Sequence, residues 1–228
     1  MTPGTGLIKE KAVKPRLDIY NVYEKLFSFW GPQGWWPGES QLEIIIGALL
    51  AQATSWRNAA LAVENLKSNG LLEEPLESSK KIVDMPQRRL EELIRPSGYY
   101  RQKTLRLKSL CKFLIENFAK TPLLIEPSQK LLWRERFLGI KGLGHETVDS
   151  ILLYGFNVPL FVVDAYTRRM LGRHGMIGER AGYDEIRLLF EKNIPERSEI
   201  YNEYHALIVR LGKNYCRSAA SCGGCPLA

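Results

Sequence analysis

An all-α fold is predicted for this 228-residue chain, and three observations predict it. Apolar residues recur at helical spacing, as in Leu42, Ile45, Ile46, Leu49 and Leu50. No segment shows the sustained alternation of apolar and polar residues that marks a half-buried strand. Serine, aspartate and glycine stand where helices would be capped or turned, at Ser40, Asp164 and the Gly142/Gly144 pair. The length suffices for one large core or two modest ones.

Taken in order, residues 1–15 are polar, basic and read as loose. Residues 17–30 fit a helix, with Tyr20, Tyr23, Leu26, Phe27 and Trp30 near one face. Residues 31–38 form a loop carrying Trp35 and Trp36, and Ser40 caps the helix through Leu50, which ends near Gln52 or Thr54. Residues 56–66 read as a helix, 82–85 and 87–94 as shorter ones, and Pro96-Ser97-Gly98 as a turn. The helix over 102–118 shows the stripe Leu105, Leu107, Leu110, Cys111, Leu114 and Ile115. Helices over 129–138 and 145–154 flank a glycine turn, another starts at Asp164, and the last two cover 183–191 and 200–216. The apolar run Phe161-Val162-Val163 is too short to require a sheet, and no internal repeat is present.

Charge and composition narrow the function. The formal charge is +7, from 32 basic and 25 acidic residues, which favours a polyanionic partner. No run approaches 18 apolar residues, so no membrane span is expected. The N-terminus lacks an apolar signal core, so a cytoplasmic, nucleoid-associated protein is expected. Four cysteines, Cys111 and the terminal Cys216, Cys222 and Cys225, do not make a disulfide framework.

Two segments carry chemistry. Residues 138–147 read Leu-Gly-Ile-Lys-Gly-Leu-Gly-His-Glu-Thr. Gly142 and Gly144 permit a tight turn with Leu143 pointing inward, and the amides opening the next helix can hold a DNA phosphate without reading sequence. The same pair also fits an ordinary helix–helix turn. Val148, Ile151 and Leu152 are core positions in either case. The second segment is Val-Val-Asp-Ala-Tyr-Thr-Arg-Arg, residues 162–169. Asp164 can simply cap a helix. It can also do more: a carboxylate partly withdrawn from water stabilises a developing oxocarbenium sugar and orients an attacking water. Arg168 and Arg169 then face phosphate or solvent.

These segments resemble the helix-hairpin-helix base-excision DNA glycosylases, the endonuclease III superfamily. Asp164 follows Glu146 by eighteen positions. Ala48-Leu49-Leu50-Ala51-Gln52-Ala53-Thr54 and the terminal cysteines extend the likeness over roughly residues 38–226. The resemblance implies a two-lobed all-α fold with double-stranded damaged DNA in the cleft and a monomeric enzyme. Residues 38–155 would form a barrel-like helical domain ending in the hairpin. Residues 1–37 and 156–228 would form the second domain. Asp164 falls on the family's essential aspartate. The carbonyls of Leu138, Ile140 and Leu143 fall where relatives hold Na+ or K+, and Lys141, Gly142, Gly144 and His145 where they grip phosphate.

Where bifunctional relatives carry the lysine that forms a Schiff base, this chain has Glu146, which cannot form an imine. The resemblance is therefore to monofunctional members, nearest the type III bacterial 3-methyladenine DNA glycosylases. Trp35-Trp36, Trp56 and Glu146 match that group, whose aromatics sandwich a flipped base. An N-alkylated purine is cationic and its glycosidic bond already weakened, so stacking on electron-rich rings selects it. Trp36 and Trp56 are the preferred pair, although each tryptophan also suits a core. Gln52 matches the residue that fills the gap left by flipping. Tyr99, Tyr100, Arg101 and Lys103 follow Gly98 in a family-like turn near DNA, and Lys213 matches a pocket lysine of related enzymes, sometimes modified to carry negative charge.

Cys216, Cys222 and Cys225 resemble the start of an iron–sulfur loop. A [4Fe–4S] cluster needs four thiolates; no adjacent fourth is present, and the first spacing has five intervening residues where the family pattern has six. No cofactor is therefore expected to be required, and a zinc site lacks an evident fourth ligand. Two other functions fit the same residues: an oxidised-pyrimidine or mismatch glycosylase, and a non-catalytic helix-hairpin-helix DNA-binding protein.

Overall fold

The computed structural model describes residues 18–35 and 38–228. Among them are eleven α-helices: α1 (Ile19–Trp30), α2 (Gln41–Leu50), α3 (Trp56–Lys67), α4 (Pro75–Asp84), α5 (Gln87–Ile94), α6 (Tyr100–Asn117), α7 (Lys130–Leu138), α8 (His145–Ser150), α9 (Ala165–Arg173), α10 (Tyr183–Glu191) and α11 (Ser198–Asn214). The only extended pairing among the described residues is an isolated bridge between Cys216 and Ala220. The expected all-α class is the observed one.

Two clusters of buried side chains organise these helices. The first gathers residues from Leu42 to Leu160 and is centred on α2. That helix is capped by Ser40, whose Oγ accepts the Glu43 amide at 3.1 Å, and it buries Leu42, Ile45, Ile46, Leu49 and Leu50 completely. Each such side chain contributes roughly 1.5–3 kcal/mol by leaving water. Gln41 stitches the start of α2 to its surroundings, donating from Nε2 to the carbonyls of Leu123 and Gly155 and accepting the Leu123 amide at Oε1. The second cluster joins α1 to residues 153–227 and is built around α11 and the stacked pair Phe161–Phe190, 3.8 Å between centroids.

The chain passes between the clusters through a π-helical turn, Ile151–Gly155, that prolongs α8. Ile151 and Leu152 enter the first core, whereas Leu153 and Tyr154 enter the second. The extra residue in a π turn shifts the helical register, which lets one continuous segment serve both. Beyond it the apolar run 161–163 is buried without strand partners. Its backbone donors are satisfied by side chains instead: Phe161 N–H donates to Glu191 Oε1 at 3.0 Å and Val163 N–H to the Tyr183 hydroxyl at 3.2 Å.

An ion-pair chain, buried at both ends and half-exposed at Asp184, ties the two clusters. Arg134 on α7 bonds Asp149 on α8 through Nε at 2.6 Å, and its Nη2 reaches Asp184 on α10 at 2.8 Å. Arg187 links Asp184 to Glu191.

Three sequence expectations are corrected. The buried face of α1 is Ile19, Val22 and Leu26, while Tyr20 and Phe27 are exposed. The aromatics instead pack along the flank, Tyr20 on Tyr23 and Tyr23 on Phe27. Leu105 is 56% exposed because α6 buries the face carrying Lys103, Thr104, Leu107, Leu110, Cys111 and Leu114. The short helix expected over 82–85 is the end of the ten-residue α4, which Pro75 begins.

Gly155 lets the π turn press on α2, where an added Cβ would sit 2.6 Å from Ile45 Cγ1. Gly155→Ala is expected to lower stability by about 1–3 kcal/mol through overpacking. Urea unfolding of wild type and variant tests this, and equal midpoints would show that the contact yields freely.

Candidate active site

A cleft of about 910 Å³ lies between the two clusters. The α2–α3 turn, the start of α8, the residues around Asp164, the inner face of α11 and Trp35 line it.

Asp164 caps α9. Its Oδ1 accepts both the amide and the hydroxyl of Thr167, at 2.7 and 2.8 Å, and this pins the carboxylate at the end of the buried apolar run. Only 9% exposed, it would be pushed by burial toward the neutral acid. The His205 ring, whose Nε2 faces the carboxylate at 3.6 Å, and the two Thr167 bonds outweigh that and hold it below the ordinary carboxylate range. Glu146, on the first turn of α8, lines the same cleft and shifts oppositely. Crowding by the cleft walls raises it first, the Asp164 charge raises it further, and His205 and Arg168 oppose. Glu146 is open to solvent on one side, so it behaves as a group at the rim of a concavity.

The hairpin between α7 and α8 turns at Gly142, whose φ of +92° favours glycine, and a Cβ there would run into the Arg106 side chain. Gly144, by contrast, has φ −90° and caps α8 in an extended conformation, so positive φ is needed at one glycine of the pair. Leu143 is buried as expected. Arg106 crosses under the turn and donates to Gln52 Oε1 at 2.7 Å. Gln52 then donates from Nε2 to Gly142 O at 3.1 Å and to Thr147 Oγ1 at 2.9 Å. Gln52 is therefore a strut to the hairpin as well as a cleft residue. Ile140 O accepts the Leu143 amide at 3.1 Å. Neutral carbonyls such as those of Leu138, Ile140 and Leu143 suit a hard monovalent cation.

Trp35 and Trp56 both line the cleft, Trp56 also packing on the first core and Trp35 on the second. Lys213 joins them, with Nζ 5.8 Å from the Trp35 ring centroid. Trp36 lies outside the described residues. Lys141, Gly142, Gly144 and His145 form an exposed hairpin rim. His145 Nδ1 lies 2.9 Å from Arg134 Nη2, which can only donate, so His145 accepts there and its ring stacks on Tyr183. Arg168 is half-buried, with Nη1 committed to Ala181 O at 2.8 Å. Arg101 is exposed, and Tyr100 is half-buried against the first core, with Arg95 and Arg101 near its ring.

Lys103 corrects the sequence reading. Expected at the DNA surface, it is 1% exposed. Its ammonium donates to Leu50 O at 2.8 Å and Ser97 O at 2.6 Å, carbonyls at the ends of α2 and of a 3₁₀ turn. Two turns with residues in the left-handed region follow these points, Ala53 at φ +49° and Tyr99 at φ +46°. Lys103 thus clamps both from beneath, and Tyr99, 67% exposed, is the outward tip.

The cysteines do not assemble as ligands. Among the described residues no group of three or more histidine, cysteine or acidic side chains is placed to hold a metal. Cys216 Sγ faces Arg173 Nη1 at 3.2 Å, while Arg169 donates to Cys216 O and Arg173 to Ser218 O, both at 2.6 Å. A [4Fe–4S] cluster is held by four thiolates, and this segment carries three cysteines.

Sequence reasoning missed His205, Tyr154 and Arg106. The available signal for His205 was its place on the inner stripe of α11, where Tyr201, Tyr204 and Ile208 are buried. A histidine among such residues needs a polar partner.

Comparison with known proteins agrees with this geometry. The profile of the HhH-GPD superfamily of base excision DNA repair proteins matches residues 46–196. A provisionally named DNA repair glycosylase of Methanocaldococcus jannaschii is 48% identical over 210 residues, 92% of this chain and 93% of the relative. Endonuclease III of Thermotoga maritima is 25% identical over 175 residues, 76% of this chain and 74% of that one. The crystal structure of H. pylori 3-methyladenine DNA glycosylase bound to 1,N6-ethenoadenine superposes with TM-score 0.75 and 30% identity, covering 86% of this chain and 98% of the other. A trapped endonuclease III–DNA covalent intermediate reaches the same TM-score at 20% identity, over 92% and 94% of the two chains, and shows likeness of fold.

Lys103 has a consequence for pH. Burial first, then the Arg106 charge, lower its ammonium to about 8 from 10.5. Between those values the unfolded chain keeps a proton that the folded chain has released, so this group's contribution to stability rises with pH across that window. Wild type should gain unfolding free energy relative to Lys103→Met from pH 8 to pH 10 in urea titrations. A difference that stays flat would show that the amine does not titrate there.

Proposed function

The chain belongs to the HhH-GPD superfamily of base excision DNA repair proteins and is a DNA glycosylase, and we propose that its substrates are alkylated purines, 3-methyladenine foremost. The observation that carries this reading is one cleft holding Trp35, Trp56, Glu146 and Asp164 together. Aromatic faces and negative potential favour a cationic base over a neutral one. The H. pylori relative, whose structure is that of a 3-methyladenine glycosylase, supports the same substrate class.

In this reading the hairpin rim and its helix take the phosphate backbone of double-stranded DNA through Lys141, Gly142, Gly144 and His145, with the Tyr99–Arg101 turn alongside. The damaged nucleotide turns out of the stack, and its base enters between the tryptophans, at a cost of a few kcal/mol for unstacking. Asp164, ionised, stabilises the oxocarbenium sugar as the base departs, orients water toward C1′ and takes its proton as the new C1′–O bond forms. The leaving base is already cationic and leaves neutral, so no acid is required. Glu146 adds negative potential at the rim. A carboxylate at position 146 forms no imine, so the product is an intact abasic strand. The Leu138, Ile140 and Leu143 carbonyls are the donors we assign to Na+ or K+, which when bound would neutralise part of a phosphate's charge. The enzyme acts as a monomer, and its terminal loop is closed by arginine hydrogen bonds without a cluster.

Duplexes carrying 3-methyladenine, 7-methylguanine, thymine glycol or a G·T mismatch test the substrate class. Release of the two methylated bases without strand cleavage or borohydride trapping is expected. Release of thymine glycol or mismatched thymine alone would transfer the enzyme to the neutral-base class, and DNA retention with no release would leave a binding protein. Asp164→Asn should slow single-turnover release by about 100-fold or more while preserving the fold. The purified chain should contain no stoichiometric iron or acid-labile sulfide, and finding them would overturn the hydrogen-bonded loop.

A further inference from the structure

Asp164 is occupied on one side only. Thr167 takes Oδ1, which leaves Oδ2 to face its other neighbours. Nε2 of His205 lies 3.6 Å from Oδ2. This nitrogen belongs to a ring that is 6% exposed and it has no direct hydrogen-bond partner. The opposite ring nitrogen is held: Nδ1 lies 2.6 Å from the Tyr154 hydroxyl. Tyr154 is buried in the π turn, where burial and the Asp164 charge drive its phenol far above the ordinary range. A protonated phenol can donate to Nδ1 or accept from it, and the carboxylate opposite Nε2 decides between the two, leaving Nδ1 to accept from Tyr154. A neutral imidazole that accepts at Nδ1 carries its own proton on Nε2, and that N–H points at the carboxylate. The reverse tautomer would set a lone pair against an anion.

We propose that His205, held in the Nε2–H tautomer by Tyr154, is a positioning residue that keeps Asp164 a carboxylate and turned into the cleft. The proposal rests on the reading of Asp164 given above.

The need for such a group follows from the surroundings. Asp164 follows the buried Val162 and Val163 and is itself 9% exposed. Glu146 on α8 bears on it with like charge, and Tyr154 on the π turn brings no positive charge, while Arg168 on α9 acts on Glu146. Burial and like charge both favour the neutral acid, and a neutral acid would not stabilise an oxocarbenium ion. Thr167 acts on Oδ1, so His205 on α11 is the group that offsets these effects at Oδ2. The 3.6 Å separation exceeds a direct hydrogen bond. Contacts of this length tighten when substrate fills a site. A histidine with a purely architectural role would have both nitrogens satisfied; here one is, and the other faces the acid.

The experiment compares wild type, His205→Leu, His205→Gln, Tyr154→Phe and Asp164→Asn. Three readouts are used: single-turnover base release from dimethyl-sulfate-treated duplex, affinity for a duplex containing a tetrahydrofuran abasic analogue, and NMR of the Asp164 carboxyl carbon and the His205 nitrogens. His205→Leu is expected to slow release by about 10-fold or more, to hold abasic-duplex affinity within about twofold, and to make Asp164 titrate at higher pH than in wild type. His205→Gln, whose amide can donate to Oδ2, should recover part of the rate, and Tyr154→Phe should populate the Nδ1–H tautomer. Wild-type release by His205→Leu beside an inactive Asp164→Asn would overturn the positioning role and leave the Asp164 reading standing. An unmoved Asp164 titration, or equal losses of rate and affinity in both His205 variants, would overturn the role as well. Wild-type release by Asp164→Asn would defeat both readings.

Discussion

Arg134 sets the register between the halves of the molecule. Its guanidinium is buried between Asp149 of the hairpin's second helix and Asp184 of α10. From Asp184 the chain of charges continues through Arg187 to Glu191, which accepts the Phe161 amide three residues before Asp164. The hairpin and the acid-bearing segment therefore belong to one hydrogen-bonded unit. Ion pairs this buried add little net stability, because desolvation offsets the attraction, but their geometric demands are strict. Hydrophobic packing alone would tolerate a sliding of the two cores; the bidentate pair at 2.6 and 3.2 Å locks Arg134 to α8, and the same guanidinium reaches Asp184 of the second half at 2.8 Å. The proposed function needs that fixity, since the hairpin would grip the backbone while Asp164 faces the sugar.

Within the cleft, environment separates two chemically similar carboxylates. Glu146 sits where the walls crowd it and the Asp164 charge bears on it, so its carboxyl is raised above the ordinary range. Asp164 is more deeply buried, yet donors from Thr167 and the imidazole of His205 favour its anion. Pairs of acids pushed in opposite directions mark sites where one group must remain charged. The tryptophans and Lys213 line the same cleft. The struts below are equally polar: Arg106, Gln52 and Lys103 fasten backbone carbonyls or side chains of the turns that form the rim.

Much of this was readable from local pattern. The Gly142 turn, the capping role of Asp164 and the apolar stripe of α2 each express a short-range rule, and Trp35, Trp56, Gln52, Glu146 and Lys213 do come together in the cleft. What escaped involves long-range pairing. Lys103 looked like a surface cation because lysine usually is one; its burial depends on two carbonyls, one 53 residues away and one 6 away. The outward aromatics of α1 misled because Tyr and Phe at helical spacing resemble a core stripe, whereas Ile19, Val22 and Leu26 on the adjacent face are the buried set. His205 shares a hydrogen bond with Tyr154, 51 residues earlier, and no periodicity announces such a pair.

Helix periodicity, caps and breakers depend on residues within about four positions of one another, so the sequence by itself determined the all-α class, the glycine turn and the segment that delivers Asp164. Protonation, tautomer and burial depend on groups brought close through space from distant parts of the chain. Only the tertiary structure could decide that Asp164 meets an imidazole, that Lys103 is a clamp, and that a π turn hands the chain from one core to the other. The dielectric and the partners that set those properties exist only once the chain has folded.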